Sequence, residues 1–103
     1  LKLFKRALNN LMDHEFGEDE RQMIIEIIKA HPKINGFHDL KTRYGGVKPF
    51  IQFHLELDEN MPLRQAHNIA IEIEKALLVK IPNAEIIIHQ DPDGVDEDVS
   101  YID

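Results

Sequence analysis

The chain contains no cysteine. That excludes a disulfide framework and a thiolate zinc finger, so any transition-metal site has to be built from nitrogen and oxygen donors. It is compatible with a reducing compartment. No apolar run reaches the roughly 18 residues that cross a bilayer, and no signal peptide opens the sequence. There is no glycine-rich phosphate loop and no Ser/His/Asp arrangement, which leaves nothing to support a catalytic reading. A basic stripe is missing too. Of the net charge of −7, residues 91–103 carry −6, through Asp91, Asp93, Asp96, Glu97, Asp98 and Asp103, without a single Lys or Arg. The remaining ninety residues hold 13 acids against 12 bases. A near-neutral body with an acidic tail is not the electrostatic footprint of a nucleic-acid binder.

What remains is enough for one domain with one modest core, in 103 residues. The sequence starts at Leu1 inside a pattern, without an initiator Met, and reads as a piece of a longer protein. Leu1, Phe4, Leu8, Leu11 and Met12 recur at helical spacing, with Lys2, Lys5 and Arg6 between them. This is either an amphipathic helix in need of a partner or the end of a helix arriving from a membrane domain. After Gly17, EDERQMIIEIIKAHP predicts a helix. Its acids Glu18, Asp19 and Glu20 suit the N-terminal dipole, Met23, Ile24, Ile27 and Ile28 share one face, and Pro32 stops it. His31 is then a helix-end residue rather than a ligand.

Residues 36–44 predict a strand, and Gly45-Gly46 a hairpin turn. Residues 48–57 alternate, with Ile51, Phe53, Leu55 and Leu57 on one side and Gln52, His54 and Glu56 on the other. Pro62 is expected just inside the next helix, which runs to about Val79 with a stripe of Leu63, Ala66, Ile69, Ala70, Ile73, Ala76 and Leu77. His67 sits at the edge of that stripe. The continuous apolar run in AEIIIHQ predicts a third strand in a central, buried position. The order αββαβ gives an α+β fold with two helices on one face of a three-stranded sheet. The other face is left for a partner or a second copy of the chain.

Three histidines and an aspartate fall on these strands: His38, His54, and His89 with Asp91. Side chains two apart on a strand share a face, so His89 and Asp91 present an imidazole nitrogen and a carboxylate oxygen side by side. Those are zinc-type ligands. If the strands of His38 and His54 lie alongside, the sheet builds a metal site. Glu56 is the nearest group that could serve a zinc hydrolase as a base, but it is expected to face solvent, and the expectation is a domain that is not an enzyme. DPDGVDED is acidic with a Gly yet fails the spacing of a calcium loop, so it is read as a disordered acidic tail. His14 is read as a solvated loop residue.

Together, LMDHEFGEDERQMI, GFHDLKTR, FIQFHLEL, PLRQAHNIAIEIE and IIIHQDP resemble the C-terminal cytoplasmic domain of the cation diffusion facilitator family, over about residues 1–92. The resemblance implies a metallochaperone-like (ferredoxin-like) αββαβ domain that forms a homodimer beneath the transmembrane domain of a bacterial inner-membrane cation/proton antiporter for zinc or iron. It implies a binuclear Zn²⁺ site near the dimer interface, about two ions per protomer, with His38, His54, His89 and Asp91 as ligands. Asp91 would bridge the ions, and His67 would contribute from, or next to, the partner protomer. Asp13 matches a residue that pairs with the membrane domain near a hinge. Residues 1–16 then become the junction to that domain, 17–92 the metal-binding domain and 93–103 the tail. Imidazole and carboxylate donors also suit Fe²⁺, Cd²⁺, Co²⁺ and Mn²⁺, whereas Cu(I) prefers sulfur and Mg²⁺ avoids imidazole. The competing expectation is a metal-independent homodimerisation module with incidental histidines.

Overall fold

The computed structural model describes residues 17–45 and 48–93. Its elements are α1 (Glu18–Lys29), β1 (Gly36–Gly45), β2 (Lys48–Leu57), α2 (Leu63–Lys80) and β3 (Glu85–Pro92). The readings of residues 1–16, Asp13 among them, and of the tail from 94 onward lie outside the described residues.

Local signals set the element ends. The Glu20 side chain accepts the Gly17 N–H at 3.0 Å, satisfying a donor that the first turn leaves free. The acids of that turn and Lys29 in the last turn oppose the helix dipole as expected. Pro62 lies one residue outside α2, as its extended cap, rather than inside it. His31 does act as a helix-end residue. Its Nδ1 accepts the Lys33 N–H at 3.1 Å, and its Nε2 reaches Glu72 of α2 at 2.7 Å, tying the two helices together.

The sheet runs β1-β2-β3, with β2 in the middle. β1 and β2 are antiparallel, and α2 carries the chain over to β3, which lies parallel to β2. Ile51, Phe53, Leu55 and Leu57 of β2 face the helices and are buried with Ile24 and Ile28 of α1 and Ile69, Ile73 and Leu77 of α2. Burying each large apolar side chain stabilises the fold by roughly 1.5–3 kcal/mol. Thr42 also points into this core. The residue is 2% exposed, and its hydroxyl has no hydrogen-bond partner among the described residues.

Two further expectations are corrected. β3 is an edge strand, not the central one. Its apolar run arises because Ile86 and Ile88 pack on the core while Ile87, 38% exposed, lies on the opposite face. A continuous run reports that apolar residues occupy both faces, not that strands occupy both edges. Leu63 was expected in the buried stripe but is 80% exposed. It stands in the first turn of α2, before the helix settles on the sheet at Ala66.

Candidate metal centre

No described helix covers the second face of the sheet, and strand register arranges its side chains in rows. Arg43, Phe50 and Glu85 form the first row, and Lys41, Gln52 and Ile87 the next. His38, His54 and His89 form the third, and Gly36, Glu56 and Asp91 the fourth. The face is therefore basic at the hairpin end and anionic, with histidines, at the other.

Strand register explains why three histidines from distant segments meet. His38 pairs with His54 across the antiparallel ladder, and His54 with His89 across the parallel one. Their imidazoles stack, with centroids 4.7 Å apart for His38 and His54 and 4.6 Å for His54 and His89. Cross-strand neighbours on one face lie at about this spacing.

A bulge in β1 permits the arrangement. Between His38 and Lys41 the register shifts, so Asp39 and Leu40 both stand opposite Phe53. Phe37 packs on the core before the bulge, and Leu40 and Thr42 pack there after it. Asp39 takes the extra position with φ 54°, the left-handed region that few residues other than glycine occupy. His38, Asp39 and His54 thereby each offer one donor atom, all within 4.8 Å of one another. The sequence reading missed Asp39. The signal was the three-residue spacing from Phe37 to Leu40, which strict alternation cannot produce.

The fourth row supplies carboxylates to the third. Asp91 Oδ2 accepts from His54 Nδ1 at 2.9 Å and lies 3.3 Å from His38 Nε2. Glu56 Oε2 lies 2.8 Å from His38 Nδ1. Glu56 does not face bulk solvent, as the sequence suggested. It is half-buried and bonded to a histidine. The 3.3 Å between His38 Nε2 and Asp91 Oδ2 is about the edge of a tetrahedron whose centre lies ~2.0 Å from each donor, the bond length of zinc to imidazole and carboxylate. The residues present fit a borderline divalent ion in donor type, and the His38–Asp91 pair does so in spacing.

The structure thus gathers His38, His54, His89 and Asp91 on one face. It does not bring His67 to them. His67 is exposed on α2, beside Leu63, Arg64 and Gln90, on the helix side of the β3 edge.

Residues 16–93 match the family model described as the cytoplasmic domain of cation efflux proteins. The chain belongs to that family. The cation-efflux pump FieF of Cronobacter sakazakii is 46% identical over 95 residues, which are 92% of this chain and 32% of the pump. This chain spans about a third of the length of the curated relatives it matches. Among solved structures, the metal-bound C-terminal domain of the CzcD transporter from Thermotoga maritima superposes with a TM-score of 0.71 at 29% identity, covering 77% of this chain and 93% of that one. The Zn form of CzrB does so with a TM-score of 0.68 at 32% identity, over 84% and 99% of the two chains. These neighbours share the α+β arrangement of two helices on a three-stranded mixed sheet. None of the described helices of this cation efflux domain is long and apolar enough to cross a membrane.

Proposed function

We propose that this domain is the zinc-sensing dimerisation module of a bacterial inner-membrane divalent-metal exporter, a cation/proton antiporter for zinc or iron. The observation that carries the reading is the stacked row of His38, His54 and His89 with Asp91 beside it. Three imidazoles and a carboxylate from three strands meet at one end of the open face, and they are donor types that suit Zn²⁺. The zinc form of CzrB and the metal-bound CzcD domain give the ligand class independent support.

In this reading Zn²⁺, about two ions per protomer, binds His38, His54, His89 and Asp91 near the junction of two copies, with Asp91 bridging. His67, set apart in one protomer, is supplied by the second. Metal binds one relative orientation of the two copies better than others and shifts the population toward it. Asp13 would pass that change to the transmembrane domain of the same polypeptide.

Calorimetric titration of chelator-stripped protein with Zn²⁺ is the test. About two ions per protomer are expected, with affinity falling between pH 7.5 and 5.5, because protons compete with metal for imidazole lone pairs. Affinity that is flat with pH would remove histidine from the ligand set. A second reading, a dimerisation module indifferent to metal, draws support from Ile87, an apolar residue exposed on the open face where a second copy could cover it. Absence of any Zn²⁺ binding would favour it.

A further inference from the structure

We propose that Glu56 is a positioning residue for the metal centre: it fixes the ring of His38 so that Nε2 is the nitrogen offered to the ion. The inference rests on the metal-binding reading above and adds a residue that acts through a ligand rather than as one.

The chemistry follows from one short contact. Glu56 Oε2 lies 2.8 Å from His38 Nδ1, and an ionised carboxylate can only accept a hydrogen bond. Both ring nitrogens of His38 face a carboxylate, and the shorter contact, 2.8 Å at Nδ1 against 3.3 Å at Nε2, assigns the proton of the neutral ring to Nδ1. In a neutral imidazole the lone pair is then on Nε2, the nitrogen that faces Asp91 at 3.3 Å. A ligating imidazole whose other nitrogen donates to a carboxylate is held in one tautomer and one orientation and is a better base toward metal.

A second observation shows that the fold makes room for this carboxylate. Gly36 is the β1 neighbour of Glu56 in the fourth row. A Cβ built on Gly36 would lie 2.9 Å from Glu56 Oε1 and 3.3 Å from its Cδ. A side chain at this position would require the Glu56 carboxylate to shift. The carboxylate is flanked on its other side by the imidazole of His38. Glu56 and His38 are both half-buried, at 32% and 24% side-chain exposure, so the contact is shielded from full competition by water.

Alanine at Glu56 removes the acceptor, glutamine keeps an acceptor oxygen, and Gly36→Ala displaces the carboxylate without deleting it. The first readout is made on metal-free protein at pH 8, where ¹⁵N-detected NMR of the imidazoles assigns the His38 tautomer. Wild type and Glu56→Gln are expected with the proton on Nδ1. Glu56→Ala and Gly36→Ala are expected to move toward the Nε2–H form that free imidazole prefers. The second readout is Zn²⁺ affinity by calorimetry, expected to fall about 10–100-fold in Glu56→Ala and Gly36→Ala, the usual cost of losing an outer partner of a metal-bound histidine, and much less in Glu56→Gln, with the number of ions unchanged. Thermal unfolding of the apo proteins checks that each variant is folded. Gly36→Ala serves if Glu56→Ala is not, because only the flexible end of a side chain must move. The proposal is overturned if wild-type His38 carries its proton on Nε2, if Glu56→Ala leaves tautomer and affinity alone, or if alanine and glutamine alike lose an ion, which would make Glu56 a ligand. If wild type binds no zinc, the metal-sensing reading fails by itself, and the tautomer measurement still decides the role of Glu56.

Discussion

The two faces of β2 are made from alternate residues of one strand and obey different physics. Ile51, Phe53 and Leu55 are wholly buried beneath the helices. Gln52, His54 and Glu56, interleaved with them in sequence, are half-buried on a face that no described helix covers. The first set contributes by area removed from water, which is non-directional and tolerant of detail. The second contributes by donor position, where a few tenths of an ångström decide whether a nitrogen and an oxygen can share an ion. Stability and recognition are thus carried by neighbours in sequence that scarcely overlap in energy.

The largest effect should come from the core side. Phe53 is the bulkiest of the wholly buried side chains and stands opposite the β1 bulge. Phe53→Ala should cost about 3–5 kcal/mol, through lost transfer energy and the cavity left behind. Urea unfolding of the metal-free protein measures it. A loss below about 1 kcal/mol would mean that the core side does not hold the fold as argued.

His54→Ala tests the other side. His54 is the middle of the stacked row and a partner of Asp91. Its loss should lower zinc affinity by more than the roughly 10–100-fold typical of an outer partner. The unfolding free energy of the apo protein should change by no more than about 1 kcal/mol, as for positions outside the core. Calorimetry and denaturant unfolding on one preparation give both numbers. A large loss of apo stability with unchanged zinc affinity would reverse the assignment of the two faces.

The sequence made this comparison legible where alternation was strict. β2 reads inward and outward without a fault, and His89-x-Asp91 must share a face whatever the fold. It was less informative where periodicity and topology part company. The apolar run of β3 puts Ile86, Ile87 and Ile88 in one strand, but it cannot say which of its faces and edges are covered, and Ile87 is exposed. Asp39 and Glu56 escaped for a different reason. An acid beside a histidine is common on surfaces, and only the bulge at Asp39 and the short contact of Glu56 with His38 single these two out. His67, expected at the edge of the apolar stripe of α2, is exposed there and stands apart from the histidine row.

The smallest effect sharpens the comparison from inside the core. Thr42 is buried and faces the helices, and its hydroxyl has no partner among the described residues. Burying an unsatisfied hydroxyl costs about 1–3 kcal/mol, and valine fills nearly the same volume with the same β-branched preference for a strand. Thr42→Val should therefore stabilise the apo protein by about 1 kcal/mol, raising the urea midpoint without changing the slope. Because Thr42 points away from the open face, zinc affinity should stay at the wild-type value. A destabilised variant would show that the hydroxyl is engaged, so that the core side too relies on a directional contact. A stabilised variant with altered zinc affinity would show that the two faces of the sheet are coupled through β1.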